Sequence, residues 1–389
     1  PSATERFLHE IAEELRTLGA TTPDVVRVSD LTSVQRLKNW AADRGLIFMG
    51  TDRDLTLLAE HVQWRGSYAP EVFQTDRVGL HSPPSAYSFS RPTVVYTEGY
   101  HGDIPWLYAP SLKKADVRGQ VLLPGDGGKF DWAWLEAFLA LSDPCVTHTM
   151  LAWACAAARR PEVRDFPLLF VGGASGCGKS TLAKLMLRLV GSSIEAALGS
   201  VTPYVLRQRL AASTSIPVFV DEWTRLSRRD TRDAMQGMVP MIYEGGTSER
   251  GQSDLHTVRY RMTSPVVVAG EDTLHLDREL ERIVSVTPRH SWQDAGALDA
   301  VVGVPLERFG SMLHRFVVSA DLPPLATGRA PDRPTHNREV LFGGWRTLRA
   351  LLEVARAHGE ETAPVLPEDP VDPVPEDEAV VPADNGPQD

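Results

Sequence analysis

The sequence is poor in cysteine. Its 389 residues include three, Cys145, Cys155 and Cys177, and none stands at C-x-x-C or zinc-type spacing. That argues against a disulfide scaffold or a structural zinc framework and fits thiols kept reduced in a cytoplasmic setting. Long apolar runs are missing as well. No stretch approaches the roughly 18 residues a membrane helix needs. The most apolar neighbourhood, HTMLAWACAAA from His148, ends in Arg159 and Arg160 and reads as a buried helix, so no membrane partner is expected. No internal repeat and no secretory or transit signature is visible. The first residue is Pro1 rather than a methionine, as in a processed form or a piece of a longer chain.

An excess of basic residues is also absent, but the formal charge of −11 misleads. Ten of the 51 acids lie in Glu360–Asp389, which has no Lys or Arg, so residues 1–359 carry 41 acids against 40 bases. A near-neutral body permits a nucleic-acid partner, which needs only a local basic groove. The acidic, Pro-rich end has no aromatics and is expected to be a disordered tail over 359–389. Apolar content of 42% and charged content of 23% are ordinary for a globular protein.

What is present is a glycine-rich loop in the right setting. Phe166–Val171 reads as a short strand. Gly173, Ala174, Ser175, Gly176, Cys177, Gly178, Lys179 and Ser180 then fit G-x-x-x-x-G-K-[ST] without a gap, and Thr181 opens a helix with Leu182, Leu185, Met186 and Leu189 on one stripe. Glycines let successive N–H groups turn toward phosphate, and the helix terminus adds positive dipole. Lys179 is the candidate for the β and γ phosphates, Ser180 for Mg²⁺, and Thr181 for a cap or the α phosphate. ATP and Mg²⁺ are the implied cofactors.

About forty residues on, the apolar strand Ile216–Val220 ends in Asp221-Glu222. Asp221 is the second candidate for the metal and Glu222 for the base that polarises water. An acidic pair of this kind marks hydrolysis rather than a kinase, which excludes water. A third strand, Pro265–Ala269, ends in Gly270-Glu271. Glu271, or Asp272 through water, is the candidate sensor of the γ phosphate, where Asn, Ser or Thr is usual. Arg278 and Arg282 precede a last strand, Ile283–Val286. Arg282 is read either as a finger to a neighbour's nucleotide or as an ion pair with Glu279 or Glu281.

Between the second and third strands, RGQSD signals a turn and LHTVRYRM alternates as a strand does. The hairpin this predicts carries Arg250, His256, Arg259 and Arg261 as candidate phosphate contacts and Tyr260 as a stacking group; the bland reading is a solvated hairpin. The arginines of TRLSRRDTRDAMQ fit a helix start or a subunit contact. Near the end, RPTHNREVLFGGWRTLRALLEVARAH reads as a helical lid from which Arg338 either reaches the nucleotide or serves the structure. Upstream, residues 4–18 and Thr32–Asp43 read as helices, and LIFMG, YSFS and PTVVY as strands. DWAWLEAFLAL and THTMLAWACAAARR read as helices leading into the loop.

With GGASGCGKST, VFVDE, the Tyr243-Glu244-Gly245 step before a basic stretch, SPVVVAGE and an arginine near the last strand, the chain resembles superfamily 3 helicases. It is more closely similar to a group of phage and plasmid ATPases known as domain of unknown function 927. TMLAWACAAARRPEV and FPLLFVGG match that group too, and the resemblance covers roughly Asp131–Gly344. With the element pattern read above, the fold expected is α/β: an additional-strand, AAA+-like P-loop NTPase core over 125–290, which the resemblance implies, with a small mixed α/β domain over 1–124 and a helical lid over 291–358 read from the residues. The resemblance also implies a hexameric or similar self-assembled ring that moves DNA, single-stranded DNA above all, beside a primase-polymerase. The alternatives from the residues alone are an ATPase switch acting on a protein partner, as in phage defence, and a kinase, for which no acceptor-site motif is found.

Overall fold

The computed structural model describes residues 33–42, 51, 53, 56, 73–84, 90–96, 99–104, 106–108, 131–192, 202–221, 229–251, 257–271, 280–288, 295–304, 306–360 and 362–370. The chain divides into two compact units, Pro1–Phe73 and Gln74–Asp389. The division falls inside the segment 1–124 that the sequence assigns to one domain. In the first unit the helix α1 (Val34–Ala42) occupies most of the expected Thr32–Asp43. Residues 4–18, the LIFMG strand and most of YSFS lie outside the described residues.

Besides the short strands Phe73–Thr75 and Trp106–Tyr108, which pair with each other, the chain next forms three antiparallel strands, β1 (Gly79–His81), β2 (Thr93–Tyr96) and β3 (Gly99–His101), with β2 in the middle. Helices α2 (Ala133–Ala140) and α3 (Pro144–Ala157) follow. Then come β4 (Leu168–Gly172), α4 (Lys179–Leu189), α5 (Pro203–Leu210), β5 (Val218–Val220), α6 (Arg229–Glu244), the hairpin strands β6 (Thr247–Gly251) and β7 (Thr257–Arg261), β8 (Val266–Gly270) and β9 (Ile283–Val286). Three helices close the second unit: α7 (Ala295–Val302), α8 (Glu307–Ser319) and α9 (Arg333–Ala357). Among the described residues no helix is long and apolar enough to cross a membrane.

Strands β4, β5, β8 and β9 form one parallel sheet in the order β9–β4–β8–β5. The strand latest but one in sequence is therefore inserted between the loop strand and the Asp221 strand, the order expected of an additional-strand core. Both faces are covered, which is why β4 and β8 are buried at every position and read as unbroken apolar runs. Alternation still divides them. Leu169, Val171, Val267 and Ala269 face a core shared with α3, α4, α8 and α9, while Leu168, Phe170, Val266 and Val268 face α5, α6 and the hairpin. Three strands begin later than expected, because Pro167, Pro217 and Pro265 have no N–H to give a ladder. The first pairings come from Leu168 N–H to Arg282 O at 3.1 Å and Val218 N–H to Pro265 O at 2.8 Å.

Helix α3 is the centre of the larger core. Every residue from Val146 to Ala157 is buried, as an all-round apolar helix must be. Asp143 caps it by accepting from Cys145 N–H at 2.9 Å, with Pro144 in the first turn. The long α9, capped by Asp332 through Thr335 N–H, lies across it at Gly344. A Cβ there would stand 2.0 Å from Ala152 O, so the two backbones meet as only glycine allows.

The small sheet is tied to this core by Ser213–Ser215. Thr214 N–H donates to Val78 O at 2.9 Å and Leu80 N–H to Ser215 Oγ at 3.0 Å, while Ser215 Oγ meets His314 Nε2 of α8 at 3.1 Å. Burial holds the His314 imidazole down to about 4. The start of the acidic tail is not loose: residues 362–370 pack on α9. Ala363 and Leu366 are buried, and Pro367 O accepts from Trp345 Nε1 at 3.0 Å. Two apolar side chains and free carbonyls suffice where composition alone argued for disorder; residues 371–389 lie outside the described residues.

Candidate nucleotide-binding site

The carboxyl ends of three strands converge. Gly172 of β4 stands opposite Gly270 of β8, and Val268 of β8 opposite Val220 of β5. The loop leaving β4 crosses this edge before entering α4. Gly173 has φ of 138°, and a Cβ on it would lie 2.8 Å from Cys177 Sγ. Gly178, with φ of 87°, turns the chain into α4 in the left-handed region. Cys177 is buried beneath the loop, and its N–H closes the turn on Ala174 O at 3.3 Å, while Ala174, Ser175 and Gly176 form an exposed crest. The first turn of α4, whose N–H groups have no acceptor within the helix, begins at this edge. Thr181 is exposed beside it.

Lys179 is 6% exposed. Its Nζ donates to Gly173 O at 3.2 Å and Ala174 O at 3.4 Å and lies 3.8 Å from Glu271 Oε1. The side chain is thus folded over its own loop, held by two carbonyls and a carboxylate. Ser180 Oγ donates to Asp221 Oδ1 at 2.7 Å, and Lys184 Nζ lies 3.4 Å from Asp221 Oδ2. Sequence reasoning placed Lys179, Ser180, Asp221 and Glu271 in one site, and the structure brings all four together. It missed Lys184, although the four-residue step from Ser180 puts both on one face of α4. Glu222, like Asp272 and Arg278, lies outside the described residues.

The donor set fits a nucleotide with Mg²⁺. A positive-φ glycine cradle, open helix N–H groups and an ammonium suit phosphates. A hydroxyl and a carboxylate are hard oxygen donors of the kind Mg²⁺ takes alongside phosphate oxygens. Among the described residues no cluster of three or more His, Cys, Asp or Glu side chains forms a protein-only metal cage.

Arg282, expected to reach a neighbouring subunit's nucleotide or to form an ion pair, and Arg338 both lie away from this loop. Arg282 sits beside Leu168, at the amino edge of the sheet, and its carbonyl accepts the first N–H of β4. Four residues of β4 separate that position from the loop, about 13 Å. Its side chain is 12% exposed and lies 4.0 Å from Glu244 Oε1, the setting of a strand-end anchor. Arg338 lies near the same edge, because its neighbours His336 and Asn337 bond Asp165 O and Glu281 O, both at 2.9 Å. Its guanidinium stands over the Phe342 ring. A cleft of about 770 Å³ opens there between Asp165, Tyr243, Glu281, Arg333 and His336, well apart from the loop.

The predicted hairpin is present. Strands β6 and β7 pair with Thr247 opposite Arg261 and Gly251 opposite Thr257. Arg261 is exposed at its base. Arg259 is exposed too, but its Nε donates to Glu249 Oε1 at 2.7 Å. Tyr260 corrects the expectation of a stacking group: it is fully buried and meets Tyr204 edge-on. Strand alternation explains this, since the residue between two outward arginines points inward. The side chain of Arg250 and all of His256 lie outside the described residues.

No family model and no curated protein matches the sequence. Solved structures do match. One, SCCmec type IV Cch, described as an active helicase, superposes with a TM-score of 0.58 at 14% identity over 85% of this chain and 65% of that chain. Two apo structures of the NrS-1 C-terminal region follow, at TM-scores of 0.34 and 0.33, 12% identity, over 64% and 63% of this chain and 58% of theirs. The chain thus spans about 65% of the length of the Cch helicase structure. The Cch likeness is one of fold: a P-loop-type α/β core around a four-stranded parallel sheet.

Proposed function

We propose that the chain is a Mg²⁺-dependent ATPase of helicase type that works on DNA, single-stranded DNA above all, as a self-assembled ring. The observation that carries this is the meeting of Lys179, Ser180, Asp221 and Glu271 at one sheet edge under a glycine loop. The fold shared with a structure described as an active helicase supports it.

In this reading the loop N–H groups and Lys179 bind and orient the β and γ phosphates, and Lys179 leaves Glu271 to do so. Ser180 and Asp221 hold the metal, which supplies charge stabilisation to the transferring phosphoryl group. Glu222, the residue after Asp221, accepts a proton from the attacking water. Glu271, released from Lys179, faces the γ-phosphate position as a sensor. The exposed Arg261 and the residues at the hairpin turn, Arg250 and His256 among them, meet the nucleic-acid backbone. A hexamer, and a primase-polymerase working beside it in phage or plasmid replication, complete the proposal. Arg282, most of whose side chain is covered beside Glu244, is in this reading the residue that reaches a neighbouring subunit's nucleotide in the ring.

A second reading, an ATPase switch directed at a protein partner, is favoured by one observation. Arg259 is neutralised by Glu249 and Tyr260 is buried, which leaves the hairpin less cationic and without an aromatic platform. The nucleotide part of both readings is tested by binding of a fluorescent ATP analogue and by phosphate release, in the wild type and in Lys179→Ala. Binding and hydrolysis lost together in the variant support it; a wild type that binds no ATP sinks it.

A further inference from the structure

Lys184 has no part in the scheme above, yet it occupies the most consequential position around Asp221. It lies one turn beyond Ser180 on α4, so the hydroxyl and the ammonium project from the same helix face. The two take one carboxylate oxygen each: Ser180 Oγ donates to Oδ1 at 2.7 Å, and Lys184 Nζ stands 3.4 Å from Oδ2. Asp221 is thus fully engaged, by one neutral donor and one cation, at the end of a buried strand. Lys179 is engaged in the same way, against Glu271. Among the described residues of the site, Asp221 and Glu271 each face an ammonium of their own.

We infer that the Lys184 ammonium is a resident counter-cation of Asp221 that a divalent metal has to displace, and that it thereby makes metal binding depend on the nucleotide. The inference rests on the nucleotide reading. A metal arriving alone gains Asp221 but meets the ammonium at the same oxygen pair, where two cations compete for one negative charge. A metal arriving with a triphosphate brings several negative charges of its own, and the ammonium has other oxygens to turn to. Lys184 is therefore a positioning residue. It keeps Asp221 aimed at Ser180 while the site waits, and it holds down affinity for the bare ion.

The test is binding of Mn²⁺, as a paramagnetic substitute for Mg²⁺, to the nucleotide-free protein by electron paramagnetic resonance. It compares the wild type with Lys184→Met, Lys184→Arg and Asp221→Asn. Lys184 is half-exposed, so the Met variant keeps its fold, which thermal melting checks. A half-exposed pair is worth little, and the expected gain in Mn²⁺ affinity for Lys184→Met is about two- to fivefold. Lys184→Arg, which restores the cation, should return to the wild-type value, and Asp221→Asn should bind least. Equal or weaker Mn²⁺ binding in Lys184→Met, with the fluorescent ATP analogue still bound by the wild type, overturns the role of Lys184 alone. Failure of the wild type to bind the analogue overturns the nucleotide reading and this inference with it.

Discussion

The Ser180 hydroxyl donates to the Asp221 carboxylate at 2.7 Å, across 41 residues of sequence. The bond joins the first turn of α4 to the end of β5, so two motifs that sit on separate elements close on one point. Its position next to the folded-back Lys179 defines the chemistry the site can do.

Lys179→Ala removes the cation that meets the transferring phosphate. The expected loss in kcat/KM for ATP is on the order of 10² to 10³, with the loop geometry otherwise kept by Gly173 and Gly178. Glu222→Gln should differ in kind: hydrolysis falls by about 10² to 10⁴, while a fluorescent ATP analogue still binds. Steady-state kinetics and equilibrium binding on the same preparations separate the two.

The hairpin arginines should not be equal. Arg261 is exposed, whereas Arg259 is held by Glu249. Arg261→Ala is expected to weaken single-stranded DNA binding and to lower the salt slope by about 0.7. Arg259→Ala should do less, and Glu249→Ala should tighten binding by freeing Arg259. Fluorescence anisotropy over a salt series reads all three. Tyr260→Ala, by contrast, is a core mutation, with a cost of about 3–5 kcal/mol in stability.

Gly344 should tolerate no side chain. In Gly344→Ala the Cβ would lie 2.0 Å from Ala152 O and 2.7 Å from Ala156 N, and neither backbone of the α3–α9 pair can yield alone. Overpacking of this kind costs about 3 kcal/mol, which calorimetry should record as a drop in Tm of several degrees. Gly359→Ala replaces a glycine of positive φ, but in open space, and should cost less.

Two buried histidines set a pH dependence. His314 and His81 are each held down to about 4 from an ordinary 6.5, burial being the main cause. The unfolded chain then binds more protons than the folded one between those values, so stability falls as pH drops from about 6.5 to 4 and is flat above. Each histidine should cost roughly 2 kcal/mol between pH 7 and pH 5. Urea titrations at the two pH values check this, and His314→Gln should remove its share of the slope.

Much of this site could be read from residues alone, and the exceptions have physical causes. The loop, β5 with Asp221, and β8 with Glu271 are legible because a glycine turn between strand and helix, and apolar runs that end in acids, restrict both residue type and order. The hairpin was legible from its turn and alternation, and that same alternation already placed Tyr260 opposite Arg259 and Arg261. Sequence order near a strand does not say which edge of the sheet a side chain meets, so for both Arg282 and Arg338 it left a structural role standing beside a nucleotide contact. Lys184 went unnoticed because α4 was read for its apolar stripe; the face that carries Ser180 was in the same eleven residues. Residues 362–370 escaped because composition is averaged over a tail, whereas packing needs only Ala363 and Leu366.

The most direct test of the central claim is the rate of ATP hydrolysis measured with and without single-stranded DNA, in the wild type and in Arg261→Ala. DNA should raise the wild-type rate, and the variant should hydrolyse ATP normally without DNA while responding to it less. Hydrolysis in the wild type that is indifferent to DNA would contradict a DNA motor and leave the protein-directed switch as the reading of this site.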